Sequence, residues 1–444
     1  MQKKVLTKAI AVALATLGGG AAMAQSSVTI YGNLDVAFDH VNTKGGYASS
    51  VVSAGVPVAA TSQSLTRVSP SIASVNMIGF KGTEDLGDGY KGTFVLESQM
   101  SPDTGSLGND NRIFGRQAYV GLTSPFGEVR LGRQYAPMFY TFALTTLDAL
   151  GSTDIYAAGL TVNNLQVRQD NQISYWLKSG GFLASLAYST NAGVNERVSA
   201  RRNTSGANVT NGEILGGITA GTETADKRGQ AYGLQLTYID PVFTVSGSYH
   251  GNKFGVPAGA VSATNGLYLP LFQLGDYSGY ALAAKFKIPS SGTMFAASFH
   301  AGDYELGTAT PTGPIAGLAR PAGADSAKTQ AWGLGVRQPI GDFSIGLEGS
   351  YGKFTNFTKG SDKALVFMGD YYFSKRTSLY TRIGQVKDTA GNQVNTSLNG
   401  ATVIGGPMSG LVSLGSTEIP VFAGAGVNAG GKTSYASIGI RHQF

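Results

Sequence analysis

Apolar and polar residues alternate along almost the whole chain in runs of about 9–13 residues, the repeat of a β-strand with two different faces. In the last run the apolar face consists of Ala436, Ile438, Ile440 and Phe444, with His442 breaking the series. The other face consists of Tyr435, Ser437, Gly439, Arg441 and Gln443. The first run, 28–40, divides into an apolar face of Val28, Ile30, Leu34, Val36 and Phe38 and a polar face of Thr29, Asn33, Asp35 and Asp39. Pairing the last strand with the first would remove two free edges and close a barrel that is apolar outside and polar inside, the pattern of barrels that stand in lipid.

The connections between these runs are of two kinds, and the two kinds alternate. Tight turns rich in glycine, proline, serine and aspartate lie near 85–89, 124–127, 178–181, 240–241, 289–292, 339–342 and 374–376. Long stretches of polar or small residues lie near 41–73, 100–111, 135–170, 190–227, 252–275, 305–327, 353–362 and 388–431. This alternation predicts an all-β fold, a transmembrane antiparallel barrel of about sixteen strands with short periplasmic turns and long extracellular loops.

The first 24 residues are typical of a secretory signal peptide, with a basic start, an apolar run and the small-residue sequence Ala22-Met23-Ala24. We expect cleavage after Ala24, so that the mature chain begins at Gln25 and the barrel occupies 25–444. The leader holds three of the 33 basic residues and none of the 27 acidic ones, and its removal lowers the formal charge from +6 to +3. A nearly neutral mature chain gives no reason to expect a nucleic-acid partner.

A soluble β-sandwich would alternate in the same way, and charged residues in mid-strand distinguish the two folds. An ionised side chain buried in a sandwich core needs a partner, whereas a water-filled barrel solvates it. After the leader, no apolar run approaches the roughly 18 residues of a membrane-spanning helix. The chain has no cysteine, and a closed barrel is stable without disulfides.

The candidate functional residues belong to the third long loop and the strands around it. The apolar stretch from Met138 to Leu150 is unusual for a solvent-facing loop and suggests a loop folded inward, or one packed at a subunit contact. The predicted basic residues of a channel constriction are Arg112, Arg116, Arg130, Arg133 and Arg168. The predicted acidic residues opposite them are Asp148 and Asp154. Each arginine could instead lie at a strand end or in a subunit salt bridge. Arg130 and Arg133 differ in parity, so one of them must sit at a strand end, a bulge or an interface.

A barrel of this size leaves an aqueous channel, which favours passive diffusion of ions and small hydrophilic solutes through the outer membrane. The arginines suggest a preference for anions. A substrate-selective channel for organic acids or sugars is the alternative, built on the same barrel with a tighter site. Four histidines without a catalytic or metal-binding spacing, and no cysteine, argue against an enzyme and against a cofactor or metal. An energised transporter would need a plug domain of considerable length. The first predicted strand begins within a few residues of the expected cleavage site, which leaves no room for such a domain.

Several motifs together resemble Gram-negative general-diffusion porins, most closely their betaproteobacterial branch. They are SVTIYG at 27–32, NMIGFKGTEDLG at 76–87, FGRQAYVGL at 114–122, LGRQY at 131–135 and GIRHQF at 439–444. The resemblance implies a homotrimer of sixteen-stranded barrels with an inward-folded third loop, surrounded by outer-membrane lipid and lipopolysaccharide. It gives Arg116 and Arg133 the place of basic channel-wall residues, and Phe444 that of the terminal aromatic residue read by the outer-membrane assembly machinery.

Two features depart from that family. The proline–glutamate–phenylalanine–glycine segment common in its third loop is absent, so Asp148 and Asp154 are chosen by position alone. The long, apolar, glycine-rich final loop near 388–431 is also unusual, and the sequence offers no physical reason for it.

Overall fold

The computed structural model describes most of the chain after the predicted leader. The described residues are 27–47, 51–52, 62–70, 73–109, 111–147, 167–193, 229–261, 268–307, 326–356, 360–389, 393–398, 401–404 and 429–444. The predicted leader, with Ala24 and Gln25 at its cleavage site, lies outside them.

The described residues are mostly β-strand. The first half contains β1 (Ser27–Tyr47), β2 (Val51–Val52), β3 (Gln63–Pro70), β4 (Met77–Gly87), β5 (Tyr90–Ser101), β6 (Ser106–Leu107), β7 (Gln117–Ser124), β8 (Gly127–Tyr135), β9 (Arg168–Ser179) and β10 (Phe182–Ser189). The second half contains β11 (Ala231–Ile239), β12 (Phe243–Val261), β13 (Tyr268–Lys287), β14 (Met294–Gly307), β15 (Ser326–Ile340), β16 (Phe343–Asn356), β17 (Gly360–Tyr372), β18 (Thr377–Thr389), β19 (Gln393–Leu398), β20 (Ala401–Ile404) and β21 (Ala429–Gln443). A short helix, α1 (Pro137–Ala143), follows β8. Within the described ranges, no helix has the length and apolar character needed to cross a membrane.

These strands form one closed antiparallel barrel, as the sequence predicts. β1 pairs with β3 over Val36–Thr43 and with β4 over Ser27–Asn33. β3 and β4 together therefore make a single crossing of the barrel. β6 pairs only with the end of β5, and β2, β19 and β20 form a small separate sheet. The barrel in the described part of the chain therefore has sixteen crossings.

The two ends of the chain close the barrel. β1 and β21 pair continuously from Asn33 with Gln443 to Gly45 with Gly431. Gly32 and Phe444 then exchange two backbone hydrogen bonds of 3.1 Å each. Backbone groups of the two chain ends thus pair along this seam, as a structure in lipid requires.

The alternation of side chains assigns an outer and an inner face to each strand. On β1, Phe38 is 57% exposed, whereas Asp35 and Asp39 are completely buried. On β16, Ile345 and Leu347 point outward and Ser344 and Glu348 inward. The apolar face meets lipid and the polar face lines the lumen, so the predicted division is confirmed.

Short turns lie at one end of the barrel, at all seven predicted positions, and the long connections lie at the other. Three predicted loops are too long. β12 and β13 remain paired from Phe243–Phe286 to Val261–Tyr268 and so occupy most of 252–275. β16 and β17 likewise leave only 357–359 of the predicted loop 353–362. β1 and β3 replace both ends of the loop predicted near 41–73. Backbone pairing needs no apolar pattern, so these strands continue past the segment that the alternation marks.

The second crossing, which β3 and β4 share, is interrupted between Pro70 and Met77. Val36 pairs with Pro70 and Asn33 with Met77, so six residues of the second crossing stand opposite two of β1. The backbone N–H groups of Ala73 and Ser74 donate to the buried carboxylate of Asp35. This carboxylate thus holds Ala73 and Ser74 against the inner wall.

Candidate channel constriction

All five arginines predicted from the sequence lie close together on the wall made by β5, β7, β8 and β9. We call these residues the arginine cluster: Arg112, Arg116, Arg130, Arg133 and Arg168. Arg116 and Arg133 are buried, and the other three are partly buried. The wall that carries them is formed where β5 pairs with β7, β7 with β8, and β8 with β9.

Three carboxylates are ion-paired with four of these arginines. Asp170 Oδ1 lies 2.9 Å from Arg112 Nη1 and 2.6 Å from Arg133 Nη1. Glu97 Oε2 lies 3.5 Å from Arg116 Nε, and Glu128 Oε2 lies 2.7 Å from Arg130 Nη2. The guanidinium of Arg168 donates to Asn109 Oδ1 at 3.0 Å.

A local irregularity explains how Arg130 and Arg133 serve the same cluster. Gly132 has φ of +130°, and the register of β8 against β9 shifts between Gly132 and Gln134. Between its pairings to these two residues, β9 runs three residues for two in β8. Arg133 therefore leaves the regular alternation and donates to Gly115 O at 2.7 Å, as well as to Asp170. Of the positions left open by the sequence, a strand end, a bulge or an interface, Arg133 occupies the bulge.

Tyr135 links the arginine cluster to the third loop. Arg116 donates to its hydroxyl, and the guanidinium carbons of Arg116 and Arg168 lie 5.7 and 5.2 Å from its ring centre. Phe139, on α1, stacks on the same ring with centres 4.1 Å apart. Cationic side chains and aromatic rings stabilise each other in this arrangement.

A second aromatic contact joins Arg130 to the loop. Its guanidinium lies 4.7 Å from the Trp176 ring centre, and Tyr140 on α1 meets the same tryptophan edge-on at 4.7 Å. Burial raises the pKa of the Tyr140 phenol, and the nearby Arg130 guanidinium opposes that rise. The phenol is therefore uncharged at neutral pH.

The described part of the third loop lies inside the barrel. Met138, Phe142 and Leu147 pack with Ala281 and Ala296, whose side chains face inward from β13 and β14. The apolar character of this stretch is thereby explained, because the loop buries it against the inner wall.

Polar contacts and one glycine hold the loop in the same place. Thr141 Oγ1 accepts a hydrogen bond from Ser246 Oγ at 3.2 Å, and Lys285 Nζ donates to Thr146 O at 3.1 Å. A Cβ on Gly335 would come within 2.6 Å of Leu147 Cδ1, so the glycine permits the close approach of the loop to β15. The loop thus runs from β8 across the interior to the opposite wall and narrows the bore.

The predicted acidic residues Asp148 and Asp154 lie outside the described residues. The carboxylates that do meet the cluster are Glu97, Glu128 and Asp170, which sequence reasoning missed. The parity of β5 and β8 could have placed Glu97 and Glu128 on the inner face. Asp170 had no such signal, because it lies beside the shift in register.

A second basic group, whose members the sequence did not bring together, lines the wall from β15 through β16, β17 and β18 to β21. Asp370 is completely buried and receives Arg337 at 2.6 Å, Arg382 at 3.1 Å and Arg441 at 3.1 Å. We call these four residues the Asp370 cluster. In this cluster the single carboxylate of Asp370 is shared by three guanidinium groups. In the described part of the chain, no three histidine, cysteine or acidic residues are placed to hold a metal ion.

The protein is a closed barrel of sixteen crossings with a loop folded against its inner wall, and a comparison of its sequence with protein families agrees with this architecture. The profile of the Gram-negative porin family matches residues 9–391. The chain belongs to this family. The porin is a multi-pass barrel of the Gram-negative outer membrane and forms a channel for passive diffusion.

Individual relatives agree with this assignment. Outer membrane porin protein 32 of Delftia acidovorans is 37% identical over 187 residues, which is 40% of this porin and about half (48%) of the relative. An outer membrane porin of Bordetella pertussis is 29% identical over 408 residues, covering 88% of this porin and 95% of the relative.

Solved structures show the same fold. An anion-selective porin from Comamonas acidovorans matches with a TM-score of 0.59 and 24% identity, over 94% of this porin and all of that chain. The trimer form of OmpT from Vibrio cholerae matches with a TM-score of 0.58 and 10% identity, over 94% and 99% of the two chains.

Proposed function

We propose that this porin is a general-diffusion channel with a preference for small anions, and that the arginine cluster forms one side of its constriction. The observation that carries the proposal is the charge of that wall where the third loop crosses the bore. Among the residues that the structure describes, five guanidinium groups lie beside three carboxylates there. Arginine stays protonated at any pH of interest, so this excess of positive charge is permanent.

A second basic group on the lumen wall supports the same preference. The Asp370 cluster adds three guanidinium groups against one carboxylate. Walls of low dielectric concentrate the field of such charges in the water between them and raise the local concentration of counter-ions. A solved porin of the same fold is named as anion-selective, in agreement with this expectation.

Asp148 and Asp154 stay predictions as the acidic side of the constriction. They follow directly on the part of the third loop that packs against the inner wall. Acidic side chains there, opposite the arginine cluster, would produce a transverse field across the narrowest part of the bore.

We also expect the properties that usually accompany this family. They are a cleaved leader ending at Ala24, assembly as a homotrimer, recognition of the strand ending at Phe444 by the outer-membrane assembly machinery, and contact with outer-membrane lipid and lipopolysaccharide. A porin of the same fold has been solved in a trimer form. The family and the fold are those of channels, and we expect no catalytic activity.

The role of the arginine cluster is tested by recording single channels of Arg116→Gln/Arg133→Gln in a salt gradient. Arg376→Gln is the matched control, because it removes a positive charge from an exposed turn outside the lumen. The double variant should lose several-fold in its anion-to-cation permeability ratio, and the control should keep the wild-type ratio. An unchanged ratio in a folded double variant would show that the constriction lies elsewhere.

Liposome swelling with sugars of increasing size separates general diffusion from a substrate-selective channel. A general pore admits neutral sugars with a smooth decrease in rate as size increases. A sharp preference for one sugar, or exclusion of all of them, would favour the selective channel instead.

A further inference from the structure

Four aromatic side chains stand among the guanidinium groups of the proposed constriction. Tyr135 stacks on Phe139, and Tyr140 meets these two rings edge-on, with ring centres 6.0 and 5.8 Å away. Trp176 continues the series, because Tyr140 also lies edge-on against it. We call these four residues the aromatic group. It joins the wall made by β8 and β9 to α1 of the third loop.

The aromatic group faces the lumen, although the lumen of such a barrel is usually polar. Trp176 lies between Tyr175 and Leu177 on β9, which are exposed on the outer face, so its own ring points inward. Phe139 and Tyr140 belong to the loop inside the barrel and are only partly buried. Part of each of these two rings is therefore open to the bore.

Three arginines of the cluster lie against the same rings. Arg116 and Arg168 lie over Tyr135, and Arg130 lies over Trp176. In these contacts a ring takes the place of water beside the guanidinium group. The positive charge of this wall is therefore bordered by aromatic carbon as well as by carboxylates.

The guanidinium groups keep donors that the protein does not use. Arg116 is 7% exposed, and in the part of the chain that the structure describes its Nε and Nη1 atoms have no hydrogen-bond partner. The Nε atoms of Arg130 and Arg168 are buried in the same way, while the two side chains are partly exposed to the bore. Donors left unpaired in a buried setting are unfavourable, and an anion that supplies acceptor oxygens relieves this.

An aromatic carboxylate matches both features of the wall. Its carboxylate can take two parallel N–H···O bonds from a planar guanidinium group, which is weakly hydrated and gives up its water readily. Its ring can stack on, or meet edge-on, the open parts of Phe139 and Tyr140. A small inorganic anion gains only the first of these contacts.

We propose that the constriction prefers aromatic carboxylates to aliphatic carboxylates of the same size and charge. This inference rests on the proposed function, since it takes the arginine cluster as one side of the constriction. It adds a source of selectivity that charge alone does not supply, because the rings distinguish two anions that the arginines treat alike. The preference is graded, and the pore still admits other small solutes.

Benzoate and cyclohexanecarboxylate are a matched pair of probes. Each has one carbon ring and one carboxylate, and both are ionised at neutral pH, but only benzoate is aromatic. The permeability of each relative to potassium is obtained from the reversal potential of the purified full-length porin in a planar bilayer. The benzoate-to-cyclohexanecarboxylate ratio is insensitive to a change in bore width or net charge, which affects the two anions equally. We expect a ratio of about three or more in the wild type, from the strength of aromatic contacts.

Three variants assign the preference to the aromatic group. Phe139→Leu/Tyr140→Leu removes the two partly open rings and should bring the two permeabilities close to equality. Phe139→Tyr/Tyr140→Phe keeps both rings and should keep the wild-type ratio. Tyr280→Leu/Phe295→Leu removes two exposed rings from the lipid-facing surface and is the matched control, which should also keep the ratio.

The wild type alone decides the inference if a variant fails to fold. Equal permeabilities of the two probes, with chloride still preferred to potassium, would overturn the inference and leave the proposed function intact. A preference for potassium over chloride would contradict the proposed function itself. A high ratio that persists in the folded Phe139→Leu/Tyr140→Leu variant would also overturn the inference, because the selectivity would then come from elsewhere in the pore.

Discussion

Arg133 and Asp170 form a 2.6 Å ion pair across the irregular junction of β8 and β9, and Asp170 holds Arg112 at the same time. One carboxylate thus balances two of the five guanidinium groups at the proposed constriction. Removing its charge without changing its shape should make the channel more selective for anions.

Asp170→Asn tests this effect. One unit charge at about 6 Å in water is worth about 0.7 kcal/mol, which corresponds to roughly a threefold change in ion concentration. The local anion concentration should rise and the local cation concentration fall by this factor, so we expect the anion-to-cation permeability ratio to rise by up to about tenfold. Asp88→Asn, in an exposed turn outside the lumen, is the control. A fall in the ratio for Asp170→Asn would mean that the cluster does not govern the permeating ions.

Gly132→Ala should destabilise the wall that carries the arginine cluster. The backbone at Gly132 has φ of +130°, and a Cβ there would lie 2.9 Å from Tyr119 Cα. Strain of this kind costs about 1–3 kcal/mol. Gly180→Ala is the matched control, because Gly180 also has positive φ, +56°, but open space around it. Thermal unfolding in detergent should begin at a clearly lower temperature for Gly132→Ala than for the control, and equal temperatures would contradict the strain.

Loosening the third loop should widen the pore. Met138 and Phe142 are almost fully buried between α1 and the inner wall, and truncating such a side chain costs about 2–5 kcal/mol of packing. The variant Met138→Ala/Phe142→Ala should admit larger sugars in liposome swelling and give noisier single-channel currents. Leu186→Ala, on the lipid-facing surface, should change neither. An unaltered size limit would show that the loop does not set the bore.

The faces and turns of this barrel follow from its sequence because they depend on local rules. A strand alternates every second residue, so Asp35 and Phe38 must point to opposite sides. The turn at Gly180 and Gly181 follows from the flexibility of glycine. The ends of strands are harder to predict from the sequence, because residues such as those of β12 near Val261 pair through the backbone whatever their side chains.

The sequence predicts the arginines of the constriction but not their carboxylate partners, for a related reason. The arginines stand out by composition, and their position near the third loop follows from the order of strands. Their carboxylate partners lie on neighbouring strands, so Glu97 meets Arg116 only once β5 and β7 are paired in register. The inward turn of Arg133 depends on the backbone of Gly132, whose dihedral angle no side-chain pattern reveals.

Phe444 should matter for assembly more than its exposure suggests. A Cβ on Gly32 would lie within 2.9 Å of Phe444 Cε1, so the ring covers the glycine where the two chain ends meet. Phe444→Ala keeps the two backbone hydrogen bonds to Gly32 but removes this cover and the proposed assembly signal. We expect a several-fold loss of folded, heat-modifiable porin in outer membranes. Phe373→Ala, which removes an exposed aromatic side chain at a short turn, should assemble normally. Equal yields from the two variants would contradict the assigned role.

Positive charge fixed on the lumen wall should select the ions that pass through the channel. The most direct measurement is the reversal potential of the wild-type porin in a planar bilayer with a potassium chloride gradient. We predict the sign that corresponds to faster passage of chloride than potassium, with the magnitude falling as salt screens the wall. A reversal potential of the opposite sign would contradict this account.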